Sequence, residues 1–538
     1  MTAPASDRRT YHCEDGTEFP VDWPSDDAPN HAWRWNEDHH PVPLQPLAAA
    51  IDHGRKPGGD QAYAEADVLP PHMFREWITA NGFQYIRMSP LPPPELGELF
   101  ARAQALAARY SGPCKVWEAH ALPRVRDACE RLRGLPAESP VEEAAYLFDY
   151  AFQVTQVAGP TVMQPVLMRL TGMLAEVIGP EGALLAQEVT QGGANATIAS
   201  DQAIWEMGQM ARSDAALMAI VSAAGREGAQ AVAGLPVNHP FRRSFETYVD
   251  TYRWRSETWD PAYCTVGEEP HRVLGLIQQA IHAPSPAATA GEVGERRSRE
   301  AVARIAVALQ AQPEKLRQFR DLVNAFDGYV GVREGRALWQ LTAVGSLRHA
   351  LLNKGALLAQ RDLLDTPGDV FFLLPAEVDR GTSGAGSDFR ALVAQRRREW
   401  EHWKTKRPPH HIGAPVPPGP QPFPLPTESS GPVLRGVPAS RGVVTAPVRV
   451  LTGLDEADSF EQGEVLVCAM TSPPWTPLFA IAAAVVTDSG SPLSHPAIAA
   501  REYGIPCVVG AKDASRKLTT GEVVTVDGAA GTVTRSQS

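Results

Sequence analysis

TDSGSPLSHPAIAAREYGIPCVVG, residues Thr487 to Gly510, follows an apolar run that ends at Val486 and reads as turn, helix and strand. Ser494 and His495 close the turn, and Pro496 stands at the first helical position, where its missing N–H costs nothing. His495 is thereby set at a helix N-terminus, beside unpaired backbone N–H groups and the positive end of the dipole. Such a terminus binds phosphate. It also lowers the basicity of the imidazole and favours the neutral, nucleophilic form. Arg501 and Glu502, one to two turns on, brace the helix or meet a phosphate. Spacing alone fits a capping histidine at an exposed turn equally well.

Around this stretch lie short β-rich runs bounded by Gly, Pro and Asp: GVVTAPVRVL, EVLVCAM, AAAVVTDSG, GIPCVVGA and EVVTVDG. With the helix HPAIAAREYG between the third and fourth, they predict a small β/α domain over 433–538. Before it, Arg407 to Pro432 carries nine prolines between Pro408 and Pro426. That composition excludes a helix or central strand and predicts a stiff, extended linker reaching on the order of 70–80 Å. From 94 to 406 the pattern is helical. ELGELFARAQALAARY, VEEAAYLFDYAFQV, PVLMRLTGMLAEVI and REAVARIAVALQA place apolar residues at three- and four-residue spacing. Residues 1–93, rich in Trp, Pro and His, show no clean period and are expected to be irregular, wrapped on a neighbour. The fold class is therefore multidomain: a large, mainly α-helical domain plus a small C-terminal β/α domain.

The chain has 538 residues, 43% of them apolar, and a formal net charge of −12. Two or more domains are expected at that length. The negative balance argues against non-specific nucleic-acid binding. Leu478 to Val486, the longest apolar run near the C-terminal end, is too short to span a bilayer. The N-terminus is polar and has no secretion signal, so a cytoplasmic protein is expected. Six cysteines without CxxC spacing fit neither a zinc site nor a disulfide framework, and Cys507 reads as core.

The 487–506 stretch resembles the phosphohistidine signature of the PEP-utilising enzymes. Thr487, Gly490, Ser494, His495, Ala497, Ile498, Ala500, Arg501, Glu502, Gly504, Ile505 and Pro506 match, and Ser491 stands where the family has a second Gly. GVPASRGVVTAPVRVL, GEVLVCAMTSPPWTPLF and VDGAAGTV are similar to the rest of that swivelling domain. Upstream, WRWNEDHHPVPLQPL, GGANATIASDQAIWEM, GVREGRALWQL and DTPGDVFFLLPAEV resemble the helical acceptor domains of rifampin phosphotransferase and phenylphosphate synthase. FETYVDTYRWRSETWD resembles their Tyr-Gly-x-Arg element, with Arg253 in place of the Gly.

The resemblance implies that His495 carries a phosphoryl group. These 538 residues show neither a nucleotide-binding ATP-grasp pattern nor a G-x-x-x-x-G-K-[ST] loop. The implied donor is a separate ATP-grasp subunit that binds ATP with Mg2+ or Mn2+. The implied product is a phosphorylated hydroxyl compound, with phenol or cresol as first choice of acceptor. An antibiotic-type phosphotransferase with a split donor is the alternative. A scaffold protein with a relic swivelling domain is the alternative of another class. Candidate phosphate ligands are Arg333, Arg336, Ser494 and Arg501, with Glu334 as base or orienter. Arg253 and Arg255 are second choices, since a strand-like segment would put both on one side. Trp33, Trp35, Trp77, Trp117, Trp205, Trp254 and Trp339 are available to line an aromatic pocket. The adjacent pair His39/His40 is not suited to chelating one metal ion, and His410 and His411, in the proline-rich linker, are expected to be solvated.

Overall fold

The computed structural model describes residues 10–37, 39–52, 57–70, 75–88, 92–192, 195–223, 225–281, 283–285, 292–326, 328–415, 432–492 and 494–536. The large domain is helical, and the C-terminal domain is β-rich, as the periodicities require. Most of the proline-rich stretch, 416–431, lies outside the described residues.

The helical domain is built around one long helix, Tyr329–Gln360. Its buried positions fall on every side, from Val332 and Leu341 to Leu347, Leu351 and Leu358, so it is the central helix of the domain. Three glycines on it, ten residues apart, let neighbours approach. A Cβ at Gly335 would press on the Trp117 indole, one at Gly345 would overlap the Trp254 carbonyl, and one at Gly355 the Pro367 carbonyl. The helices Val141–Gln156 and Val162–Ile178 are joined by a wide π turn, Val157–Thr161, with Pro160 inside it. Proline cannot supply an N–H to an ordinary helical ladder, and the widened turn absorbs that loss.

The expectation of an irregular N-terminal region is corrected. Ala32–Trp35, Arg75–Ala80, Phe83–Met88 and His411–Gly413 form a four-stranded antiparallel sheet. Trp33 pairs with Ile412 in the register of that sheet. The start of the proline-rich stretch is thus fixed to the N-terminal region as an edge strand. The strands are two to six residues long in a segment of about eighty, too short and too far apart to leave a readable period.

The C-terminal domain is an eight-stranded sheet. Its order is Val433–Arg435, Thr532–Arg535, Val523–Asp527, Val443–Val450, Val465–Cys468, Ala484–Thr487, Cys507–Val509 and Val437–Ser440. The run from Val443 to Val509 is parallel, and its last three strands are nearly all apolar because both their faces are covered. One apolar cluster continues from the helices Ala196–Arg212 and His271–Ala280 into Trp475, Leu478, Phe479 and Tyr503. The two domains are therefore docked through a dry interface. Among the described residues, no helix is long and apolar enough to cross a membrane.

Gly345→Ala tests the close approach at the central helix. Alanine favours an isolated helix by about 1 kcal/mol over glycine. Here the clash with the Trp254 carbonyl is expected to outweigh that and lower stability by about 1–3 kcal/mol, read as a fall in Tm.

Candidate active site

His495 begins the helix His495–Tyr503. The turn before it is held by Ser494, whose Oγ donates to Ser491 O at 2.7 Å and accepts from Ser491 N at 3.2 Å. Gly490 has φ +123°, and a Cβ there would come within 2.9 Å of Ser494 Oγ. Glycine is needed at 490. Ser491 is not among the positive-φ residues, which explains why serine is tolerated at the second position. Arg501 sends Nη1 to Ala439 O at 2.8 Å and Nη2 to Pro492 O at 2.7 Å, so it ties the His495 turn to the sheet. Its Nε lacks a partner among the described residues.

The imidazole is packed against Phe479, edge to face at 6.1 Å, with Nε2 3.4 Å from Thr476 Oγ1. Burial pushes its pKa down to about 4, and Arg333 adds to the shift, while Glu334 opposes it. The ring is therefore neutral at physiological pH, the nucleophilic form.

Across the domain interface, Arg333 on the central helix donates to two carboxylates. Its Nε meets Glu334 Oε1 at 2.8 Å and its Nη2 meets Glu502 Oε1 of the His495 helix at 2.7 Å. The side chain is 10% exposed, and those of Glu334 and Glu502 are 6% and 4% exposed. Burial alone would raise the Glu334 carboxyl, but Arg333, His495 and a 2.5 Å bond from Thr197 Oγ1 hold it below its ordinary value. Glu502 has no such extra donor, and burial pushes it up to about 7. Tyr503 OH donates to Asp201 Oδ2 at 3.0 Å across the same interface, and burial raises Asp201 to about 8. Arg297 Nη1 reaches Arg501 O at 3.0 Å and Ser472 Oγ reaches Glu257 O at 2.7 Å. Docking thus places His495 beside Arg333 and Glu334 by a set of buried polar ties.

Between the domains lies a cavity of about 350 Å3, within the range of small-molecule sites. His495, Ser494, Arg501 and Thr471 form one wall; Arg333, Glu334 and Arg336 form another. The π turn contributes Gly159 and Pro160, and a Cβ at Gly159 would come within 2.5 Å of Arg336 Cδ. Five glutamines, Gln156, Gln164, Gln187, Gln191 and Gln340, line the rest together with apolar side chains such as Phe152, Met163 and Leu167.

The comparisons with known proteins agree with this geometry. Residues 460–531 match the family described as PEP-utilising enzyme, mobile domain. Residues 153–334, which include the π turn and end on Arg333–Glu334, match the rifampicin phosphotransferase fourth domain. The chain belongs to the PEP-utilising enzyme superfamily. Within it, the chain is 28% identical to a rifampicin phosphotransferase of Streptomyces sviceus, over 56% of this chain and 35% of that protein. It is 36% identical to an uncharacterized phosphotransferase of Bacillus subtilis, over 34% of this chain and 23% of that protein. Similarity to the chondramide synthase of Chondromyces crocatus is 25% identity over 96% of this chain and 14% of that protein. The chain spans well under two thirds of the length of these relatives.

Against the sequence expectations, the structure brings His495, Ser494, Arg501, Arg333, Glu334 and Arg336 to one cavity of this superfamily member. Arg333 is not free there to clamp a ligand, because two carboxylates hold it. Arg253 and Arg255 do not share a side. The chain turns after the helix Pro240–Tyr252, leaving Arg253 exposed beside Asp250, whereas Arg255 is buried against Ser200 and Tyr248. The cavity lining includes none of the seven tryptophans named above; Trp259 and His39 are there instead. The glutamines were not singled out, since a glutamine on a helix reads as an ordinary solvated position. Among the described residues, no group of three or more His, Cys, Asp or Glu is placed to hold a metal ion.

Arg333→Ala and Glu502→Lys each break the buried tie, the first by leaving two carboxylates unpaired at a cost of about 3–5 kcal/mol and the second by setting a like charge against Arg333. Both are expected to undock the C-terminal domain, seen as a larger radius of gyration in small-angle X-ray scattering. Docking also depends on pH. Glu502 and Asp201 have raised pKa values when docked, so docking holds protons that the separated domains release. That contribution is present below the ordinary carboxylate range and is lost as pH rises through about 7 and 8. The compact fraction is expected to fall between pH 6 and 8.5; an unchanged scattering profile would contradict this.

Proposed function

We propose that this chain is the carrier and acceptor part of a phosphotransferase, in which His495 takes a phosphoryl group and passes it to a hydroxyl of an organic molecule seated in the interdomain cavity. The observation that carries this reading is the placement of a neutral, partly buried imidazole in the wall of a cavity made by both domains. The donor is an ATP-grasp nucleotide domain outside these 538 residues, on a separate subunit, with Mg2+ or Mn2+ at that donor. ATP bound there supplies its β-phosphate.

In the donor state the imidazole of His495 attacks the β-phosphorus of ATP, its N–P bond forming as the bond to AMP breaks; water then removes the γ-phosphate as inorganic phosphate, and the mobile domain docks as in the present structure. The acceptor oxygen approaches the phosphorus in line; the O–P bond forms as the N–P bond breaks. The hydroxyl proton passes through Glu334 to the departing imidazole, which leaves neutral. Glu334 is ionised and aimed at this site, which suits it to orient and relay that proton. Arg501 Nε and Arg336 are the groups placed to neutralise phosphoryl oxygens. Arg333 holds the docked state and fixes Glu334. Ser494 shapes the turn.

Phenol or cresol is the acceptor that the sequence resemblance implies, and a phenol with a pKa near 10 needs only modest help to lose its proton. A larger hydroxylated aromatic, of the antibiotic type, is the second reading. It is favoured by the match of 153–334, the region that builds much of the cavity wall, to a rifampicin phosphotransferase domain.

Incubation with ATP labelled at the β-phosphate and the cognate ATP-grasp subunit is expected to place acid-labile label on the wild-type chain and none on His495→Ala. Label that persists in His495→Ala would remove the carrier from this scheme. An unlabelled wild type would favour the scaffold reading.

A further inference from the structure

Two buried atoms of the cavity wall stand out because nothing satisfies them. Gln191 is 6% exposed and Thr471 is 2% exposed. Among the described residues, neither Gln191 Oε1 nor Thr471 Oγ1 has a hydrogen-bond partner, and both residues line the cavity that holds His495. A buried polar atom without a partner is rare and costly. The Gln191 amide is not free to turn at will: its Nε2 donates to Gln187 O at 3.2 Å, which leaves Oε1 as the group presented. The two atoms come from different domains, Gln191 from the helical one and Thr471 from the mobile one.

We propose that Gln191 and Thr471 are specificity-determining residues that recognise a second polar group of the acceptor, distinct from the hydroxyl that is phosphorylated. The proposal rests on the reading of the cavity as an acceptor site. The reacting hydroxyl must face His495 and Glu334. Gln191 Oε1 can only accept, so it selects an O–H or N–H elsewhere on the ligand. Thr471 Oγ1 takes either role. The five carboxamides carry no charge, so the part of the ligand that meets them is uncharged, while Arg336 and Arg501 stand in the same cavity toward the phosphoryl group. The acceptor class is then a neutral aromatic with at least two hydrogen-bond donors, not a plain phenol. A ligand without the second donor leaves Gln191 Oε1 without a partner and gains nothing from it. Because Thr471 arrives with the mobile domain, this recognition is complete only when the domain is docked. Acceptor binding and docking therefore favour each other.

The probes are phenol, catechol, resorcinol and hydroquinone, titrated calorimetrically into the full chain. At least one dihydroxybenzene is expected to bind about tenfold more tightly than phenol. That ratio is expected to fall to near unity in Gln191→Met and to shrink in Thr471→Val. Because the ratio compares two ligands on the same variant, a general loss of stability does not alter it. If no dihydroxybenzene outbinds phenol in the wild type, or if the ratio survives both substitutions, the inference is wrong. Labelling of wild-type His495 from ATP separates the two levels. Label without a binding preference overturns only this inference, and absence of label overturns the carrier reading beneath it.

Discussion

The constraint on which this structure depends is that one imidazole must be partly buried and neutral while standing in the wall of a cavity. Neither domain alone achieves it. The mobile domain supplies the turn, Gly490 to Ser494, that brings His495 to the start of its helix, along with the Thr476 and Phe479 contacts. The helical domain supplies the surface that takes water away. Burial lowers the basicity of the ring, and Arg333 adds to it. The same Arg333 cannot leave its place without exposing two buried carboxylates, so the charge that tunes the histidine also ties the domains together.

This arrangement suits a carrier that must both arrive and depart. The apolar patch of Trp475, Leu478, Phe479 and Tyr503 gives docking its bulk. The polar ties give it a position, and they also give it reversibility, since two of their carboxyls sit near the pH at which they change charge. A purely apolar interface of the same area would hold the domain without a comparable means of release. The cavity itself is divided by chemistry. Charged groups gather around His495, and uncharged carboxamides together with apolar side chains such as Phe152, Met163 and Leu167 form the remainder.

Much of the C-terminal domain was legible because its strands are short apolar runs between Gly, Pro and Asp, and because the Ser494-His495-Pro496 junction has one good structural solution. Arg333, Glu334 and Arg336 were legible as a charged helix start, though their partners were not: that Glu502 lies across from Arg333 is a fact of docking, and no local pattern encodes it. The glutamines were hidden for a similar reason. Four come from four separate helices and Gln191 from the loop after the helix Pro180–Val189, and each is unremarkable on its own. The N-terminal sheet was missed because its fourth strand, His411–Gly413, lies more than three hundred residues from its first, Ala32–Trp35. Arg253 and Arg255 were misplaced because alternation was taken to mean a strand, where the chain turns at the end of a helix.

The most direct measurement is an NMR titration of the His495 ring, assigned by comparison with His495→Gln. In the docked wild type, a pKa depressed toward about 4 is expected, and Arg333→Ala or Glu502→Lys should return it toward the ordinary value near 6.5. A wild-type histidine that titrates near 6.5, unmoved by either substitution, would contradict the claim that docking makes the neutral nucleophile.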